Sequence, residues 1–113
     1  CGIVGALGRV DGRVLEAVER ATLAMLHRGP DAEGSFAAYD DRGGVVLGHR
    51  RLSILDLSEA GNQPMRHRHG LVIAYNGEIY NFRELRAELR DLGHDFVSDC
   101  DTEVVLAGWC EWG

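Results

Sequence analysis

Apolar positions along the chain change their spacing several times, and each change marks an element. Cys1-Gly2-Ile3-Val4-Gly5-Ala6-Leu7-Gly8 is an apolar run punctuated by glycine, which predicts an opening strand. Asp11-Gly12 reads as a turn. Beyond it Val14, Leu15, Val18, Thr22, Met25 and Leu26 recur at three- and four-residue steps, the spacing of a helix that buries one face. The helix stops at His27-Arg28-Gly29-Pro30-Asp31, because a proline pushes the residue before it out of helical angles. Ser35 to Tyr39 predicts a strand, Asp40-Asp41-Arg42-Gly43-Gly44 a turn, and Val45 to His49 the second arm of a hairpin.

A polar loop follows from Ser58 to Pro64, and the apolar run Leu71-Val72-Ile73-Ala74-Tyr75 predicts another strand. Asn76-Gly77 ends that strand in a dipeptide suited to positive φ. Asn81 stands as an N-cap with Glu84 three residues on, ahead of Leu85, Leu89 and Leu92 at helical spacing, and Gly93 closes the helix. Phe96 and Val97 suggest one more short strand. Asp101 or Thr102 is placed to cap a final helix bearing Val104, Val105, Leu106 and Trp109.

Composition narrows the function classes. A chain of 113 residues with 45% hydrophobic and 27% charged residues has room for one core and reads as a soluble domain. The net charge is −6 and all 12 basic residues are arginine, which argues against a sequence-independent phosphate-binding surface and hence against nucleic acid as a partner. No apolar run approaches the roughly 20 residues of a membrane span, and no signal-peptide pattern is present, so a cytoplasmic location without membrane contact is expected. Cys1, Cys100 and Cys110 are odd in number and lack CxxC spacing, which fits neither a disulfide framework nor a zinc ribbon.

Candidate chemistry starts at Cys1, where a thiol and a free α-amine share one residue. With reference pKa values near ~7.7 for the amine and ~8.5 for the thiol, the amine can take the thiol proton directly or through a water. Cys1 is then a self-activated nucleophile, although taken alone it is as readily a small buried hydrophobe. Asn76 offers a side-chain amide donor and Gly77 a backbone N–H, an arrangement suited to an oxyanion. Arg51 can grip a carboxylate with a planar fork, and Asp101 can receive an ammonium. Singly, each has an ordinary alternative: a hairpin turn, a solvated arginine, an N-cap. Gly2, Gly5 and Gly8 are spaced GxxGxxG with no strand before them, which is not a dinucleotide fingerprint. His67-Arg68-His69 has no third ligand in view and reads as a solvated loop rather than a metal site. Trp109 and Trp112 read as helix packing.

Together, several segments match one pattern in order along the whole chain. Cys1-Gly2-Ile3-Val4-Gly5, His27 to Asp31, His49-Arg50-Arg51-Leu52-Ser53-Ile54-Leu55-Asp56, Gly61-Asn62-Gln63-Pro64-Met65, Tyr75-Asn76-Gly77-Glu78-Ile79-Tyr80-Asn81 and Asp101-Thr102-Glu103-Val104 carry it. On these segments the chain resembles the N-terminal glutaminase domain of glutamine-hydrolysing asparagine synthetase, a class II glutamine amidotransferase. The resemblance implies an α+β fold, the αββα sandwich of N-terminal-nucleophile (Ntn) hydrolases, incomplete in this chain. It implies Cys1 as nucleophile with its own amine as base, Asn76 and Gly77 as oxyanion hole, and Arg51 on the glutamine α-carboxylate. It also implies Glu78 and Asp101 on the α-ammonium, with the main chain of Leu52, Ser53, Ile54 and Leu55 lining the same pocket. His27 to Asp31 is expected to be a structural turn beside the site.

By the same resemblance, residues 1–113 are the N-terminal part of the amidotransferase domain, and the synthetase domain is absent. Nothing resembles a serine-glycine-glycine phosphate loop, so no cofactor is expected for the glutaminase step, and ATP and Mg are expected only in the missing domain. The implied partners are L-glutamine and the synthetase domain or remaining chain, with homo-oligomerisation left open. Two other readings stand beside this one. A non-catalytic domain of the same fold would bind glutamine or a partner chain, and an amidotransferase would serve an acceptor other than aspartate.

Overall fold

A computed structural model of the chain describes residues 1–54 and 56–113. In chain order the elements are β1 (Gly2–Gly8), α1 (Gly12–Ala24), β2 (Ala32–Asp40), β3 (Gly43–Arg51), β4 (Met65–Arg66), β5 (Val72–Ile73), α2 (Phe82–Asp91) and α3 (Asp101–Trp112), with short 3-10 turns at Leu26–Arg28 and Glu59–Gly61. The architecture is mixed α/β. One sheet has three antiparallel strands in the order β1-β3-β2, and a second pairs β4 with β5.

Strand β3 is the spine, paired on both edges, with Gly2 opposite Arg50 on one side and Ala32 opposite Arg51 on the other. Because side chains alternate along a strand, Val46, Gly48 and Arg50 face one way and Leu47, His49 and Arg51 the other. The first face receives α1, whose buried Val18 and Thr22 lie over the sheet beside Val46. Gly48 permits that approach: a Cβ there would overlap Thr22 Oγ1, which donates to Val18 O at 2.7 Å. A separate core forms where α2 packs on α3, around Leu89, Val104 and Ala107, and another joins Met65, Cys100 and Leu106 to Leu71 and Ile73.

Several sequence expectations change here. Asp11 is not in a turn but is the N-cap of α1, its carboxylate accepting from the Arg13 and Val14 amides at 3.0 and 3.1 Å. The hairpin strands are longer than predicted, since pairing with β3 on both edges extends them through residues with little strand propensity of their own. The strand expected over 71–75 shrinks to Val72–Ile73. Asn81 holds the N-cap position of α2 without a side-chain capping bond, whereas Gly93 ends α2 as expected, at φ +96°, in a Schellman motif with Gly93 N–H on Arg90 O and His94 N–H on Leu89 O.

No strand forms at Phe96-Val97. The amides of Val97 and Ser98 donate instead to the Glu103 carboxylate at 2.9 and 2.8 Å, and the buried Arg86 guanidinium binds the Ser98 and Cys100 carbonyls, both at 2.8 Å. With those groups satisfied by side chains, there is no ladder to join. Cys100, rather than Asp101 or Thr102, is the N-cap of α3. Trp109 and Trp112 are 63% and 52% exposed, so they are not packed into a core. His67 is only partly solvated, with Nδ1 3.4 Å from Cys110 Sγ. Among the described residues no cluster suited to a metal ion occurs, and no helix is long and apolar enough to cross a membrane.

The close approach at Gly48 is testable. Gly48→Ala is expected to lower stability by about 1–3 kcal/mol through overpacking, and adding Thr22→Ala to it to recover part of that loss, as read from urea unfolding midpoints.

Candidate active site

Strand register decides where Cys1 stands. Gly2 pairs with Arg50, so the residue before Gly2 lies beside the residues that follow Arg51, at the end of β3. There the Leu52 backbone N–H points at Cys1 Sγ at 3.3 Å, and Sγ in turn lies within donating reach of Leu52 O at 3.8 Å. The α-amine donates to Arg28 O at 2.8 Å, so the turn at 27–31, expected to be structural, also holds the amine in place. Burial, and then the neighbouring Arg28 charge, lower the amine's pKa below its ordinary 8.0. A larger share is therefore unprotonated at neutral pH and available as a base.

Alternation puts Arg51 and His49 on the same face of β3. Arg51 is buried and donates to Ser58 O at 2.6 Å, to Asn62 Oδ1 at 2.9 Å and to Asp56 O. These bonds bind the 56–62 loop around the guanidinium, and Arg51 also lines the cavity that holds Cys1. Asp56 fastens the same loop, its carboxylate accepting the Ser58 and Asp99 amides at 2.7 and 2.9 Å. Hydrogen bonds from Ser58, first of all, hold the Asp56 carboxyl below the usual carboxylate range.

Asp101 begins α3 and is 5% exposed, yet its carboxylate does not cap its own helix: Oδ2 accepts the Ile79 amide at 2.7 Å. That bond draws the segment carrying Asn76, Gly77 and Glu78 toward the start of α3. Asn76 Nδ2 lies 3.4 Å from Cys1 O. The expected positive φ at Asn76-Gly77 is absent. The tip of the Tyr75 side chain lies over Gly77, its Oη 2.5 Å from where a Cβ would stand, so a side chain here would displace the phenol. Burial, and then the Asp101 and Glu78 charges, push the Tyr75 phenol up, so it stays protonated beside those carboxylates.

The result is one open cavity of about 420 Å³ lined by Cys1, Arg51, Leu52, Ile54, Asn76, Gly77, Glu78 and Asp101. It combines the Cys1 thiol and amine with amide donors, one guanidinium and three carboxylates, Asp56 being the third. Ser53 is not among its walls: its amide donates to Asp31 Oδ2 at 2.7 Å, and it lines a neighbouring cavity on the far side of Arg51. Leu55 lies outside the described residues.

The model of the glutamine amidotransferase domain matches residues 1–113. The chain belongs to that family. A relative from Mycobacterium tuberculosis, provisionally named an asparagine synthetase (glutamine-hydrolyzing), is 44% identical over 96% of this chain and 18% of its own length. Asparagine synthetase B (glutamine-hydrolyzing) of Escherichia coli is 43% identical over 87% of this chain and 17% of its own length, and amidase chry2 of Gibberella zeae is 41% identical over 89% and 15%. The amidotransferase chain thus spans under a fifth of the length of each of these three relatives.

The cavity of this amidotransferase domain has further walls that sequence reasoning did not single out: Asp56, Gln63, Tyr75, Tyr80, Cys100 and Thr102. Each lies within or next to a matching segment, but only their packing shows that they face the cavity. His49 stands close behind it. The ring is fully buried, and Nε2 lies 3.2 Å from Tyr75 O, which only a protonated Nε2 can donate to. Burial is the main force that lowers its pKa from 6.5.

A histidine kept neutral in the folded state takes up a proton on unfolding at acid pH, so stability falls as pH drops below 6.5 toward the lower folded-state value. We expect the urea midpoint to fall between about pH 7.5 and about pH 5.5, and His49→Gln, which does not titrate, to flatten that slope.

Proposed function

We propose that this chain carries the glutaminase half-reaction of a glutamine amidotransferase, hydrolysing free L-glutamine to glutamate and ammonia. The observation that carries this reading is a single cavity that brings the Cys1 thiol and its own amine together with donors and acceptors for both ends of an amino acid. In this reading the fold is the front of an Ntn-hydrolase sandwich, to which the mixed α/β architecture and the Cys1-bearing strand on the β1-β3-β2 sheet lend support.

The α-amine removes the Cys1 proton, and the thiolate attacks the carboxamide carbon of glutamine. The oxyanion that forms is met by Asn76 Nδ2 and the Gly77 N–H. The amine, now an ammonium, returns the proton to the leaving nitrogen, and the carbon–nitrogen bond breaks to give ammonia and a γ-glutamyl thioester on Cys1. Water activated by the amine then cleaves the thioester, restoring the thiol. Arg51 receives the α-carboxylate of glutamine, and Asp101 with Glu78 its α-ammonium. The Leu52 amide, already on the sulfur, stabilises the thiolate before attack.

The curated relatives named as asparagine synthetases extend the proposal: the ammonia serves ATP-dependent amidation of aspartate in a synthetase domain beyond these residues. A different acceptor is the second reading, since one relative of comparable identity is named an amidase and not an asparagine synthetase.

Asn76→Ala is expected to fold and to lose about 10² to 10³ in turnover, measured as glutamate release; near-normal turnover in the folded variant would sink the assignment. Turnover should rise with pH along an acid limb whose midpoint lies below 8.0, because only the unprotonated amine accepts the thiol proton. N-acetylglutamine, which lacks the ammonium that Asp101 and Glu78 receive, should be hydrolysed at no more than a small fraction of the glutamine rate.

A further inference from the structure

Strand β5 stops at Ile73, so Tyr75 has no ladder partner, and the backbone groups of the residue just before Asn76 must be satisfied otherwise. Two buried side chains do it. His49 Nε2 donates to Tyr75 O at 3.2 Å, and the Gln63 carboxamide oxygen accepts Tyr75 N–H at 2.5 Å. The other end of the Gln63 amide donates to Thr102 Oγ1 at 3.2 Å. Gln63 is 7% exposed and Thr102 2% exposed; the bond between them is buried, and the bond to Tyr75 is partly so. Gln63 is itself held against β2, where the missing side chain of Gly34 leaves room for the Gln63 carbonyl.

The 76–78 segment is therefore suspended between two ties to the start of α3. At one end Tyr75 reaches Thr102 through Gln63, and at the other Ile79 N–H reaches Asp101 at 2.7 Å. Between those ties, among the described residues, its one hydrogen bond is the 3.4 Å contact from Asn76 to Cys1 O. Side-chain bonds thus replace a sheet in setting the height of Asn76 and Gly77 above Cys1.

We infer that Gln63 is a positioning residue for the oxyanion site: its amide joins Tyr75 to Thr102 and so locks the Asn76-Gly77 donors to the helix start that carries Asp101. The inference rests on the glutaminase reading above. Oxyanion donors matter at the transition state, and a displacement on the order of 1 Å costs about a hundredfold in rate. Gln63 should therefore act on kcat, while Arg51, Glu78 and Asp101, which hold the substrate's ends, continue to set KM.

The test compares Gln63→Met, which keeps the length of the side chain but neither bond, with the unsubstituted chain in steady-state glutamine hydrolysis, with circular dichroism and urea unfolding as folding controls. We expect kcat to fall about tenfold to a hundredfold and KM to move by less than about threefold. A folded Gln63→Met chain with unchanged kcat, or one whose loss lies in KM, overturns the inference. If Gln63→Met does not fold, Thr102 decides: Thr102→Val should lose turnover and Thr102→Ser, which keeps the hydroxyl, should restore most of it, whereas equal turnover of the two overturns the inference. An unsubstituted, folded chain that neither hydrolyses glutamine nor is labelled at Cys1 by 6-diazo-5-oxo-norleucine overturns the glutaminase reading itself. Activity in that chain with unaffected variants overturns only the role of Gln63.

Discussion

The antiparallel pairing of β1 with β3 is the constraint on which the site depends. Its register places Gly2 opposite Arg50, and that one alignment brings the chain's first residue to the residues just past Arg51. Shifting it by one position would turn every side chain of β1 to the other face, and Cys1 would be carried off the Leu52 amide and the Arg28 carbonyl. The α1 helix secures the register from behind. It packs closely only because Gly48 is bare, and it stops where the 27–31 turn must reach the α-amine.

Two adjacent arginines divide the work at the end of β3. Arg50 points toward the α1 face and ties the 27–33 segment down, donating to Gly29 O at 2.9 Å and to Glu33 Oε2 at 2.5 Å. Arg51 points the other way and gathers the 56–62 loop. Both are nearly buried, which is costly for a guanidinium unless its donors find partners: Gly29 O and the Glu33 carboxylate meet Arg50, and the Ser58 and Asp56 carbonyls and Asn62 Oδ1 meet Arg51. The site is thus assembled mainly by side chains bonding to backbone: Arg51, Asp56, Gln63, His49, Arg86, Asp101 and Glu103 each hold a segment that no sheet reaches. Such an assembly can place groups from distant parts of a small chain.

Much of the candidate site was legible in the sequence because its members sit in short contiguous segments. Cys1, Arg51, Asn76-Gly77-Glu78 and Asp101 were all identifiable before the structure, and the structure brings them to one cavity. Ser53 lies off this cavity because its amide is taken by Asp31, a contact between residues far apart in the chain. The strand expected at Phe96-Val97 failed for a similar reason, since Glu103 and Arg86 satisfy that backbone first. Asn76-Gly77 looked like a turn with positive φ, whereas the structure gives neither residue a positive φ and lays the tip of the Tyr75 side chain over Gly77.

Local chemistry decided what the sequence could settle alone. Apolar spacing set the helices and the first hairpin, Gly93 set the end of α2, and residue type set which groups could attack, donate or carry charge. Tertiary structure decided the distances and the protonation states. The lowered pKa of the Cys1 amine, the neutral His49 and the ties through Gln63 all arise from burial and from partners remote along the chain. A linear pattern holds no measure of burial or of long-range hydrogen bonding, and both enter only when the strands find their register.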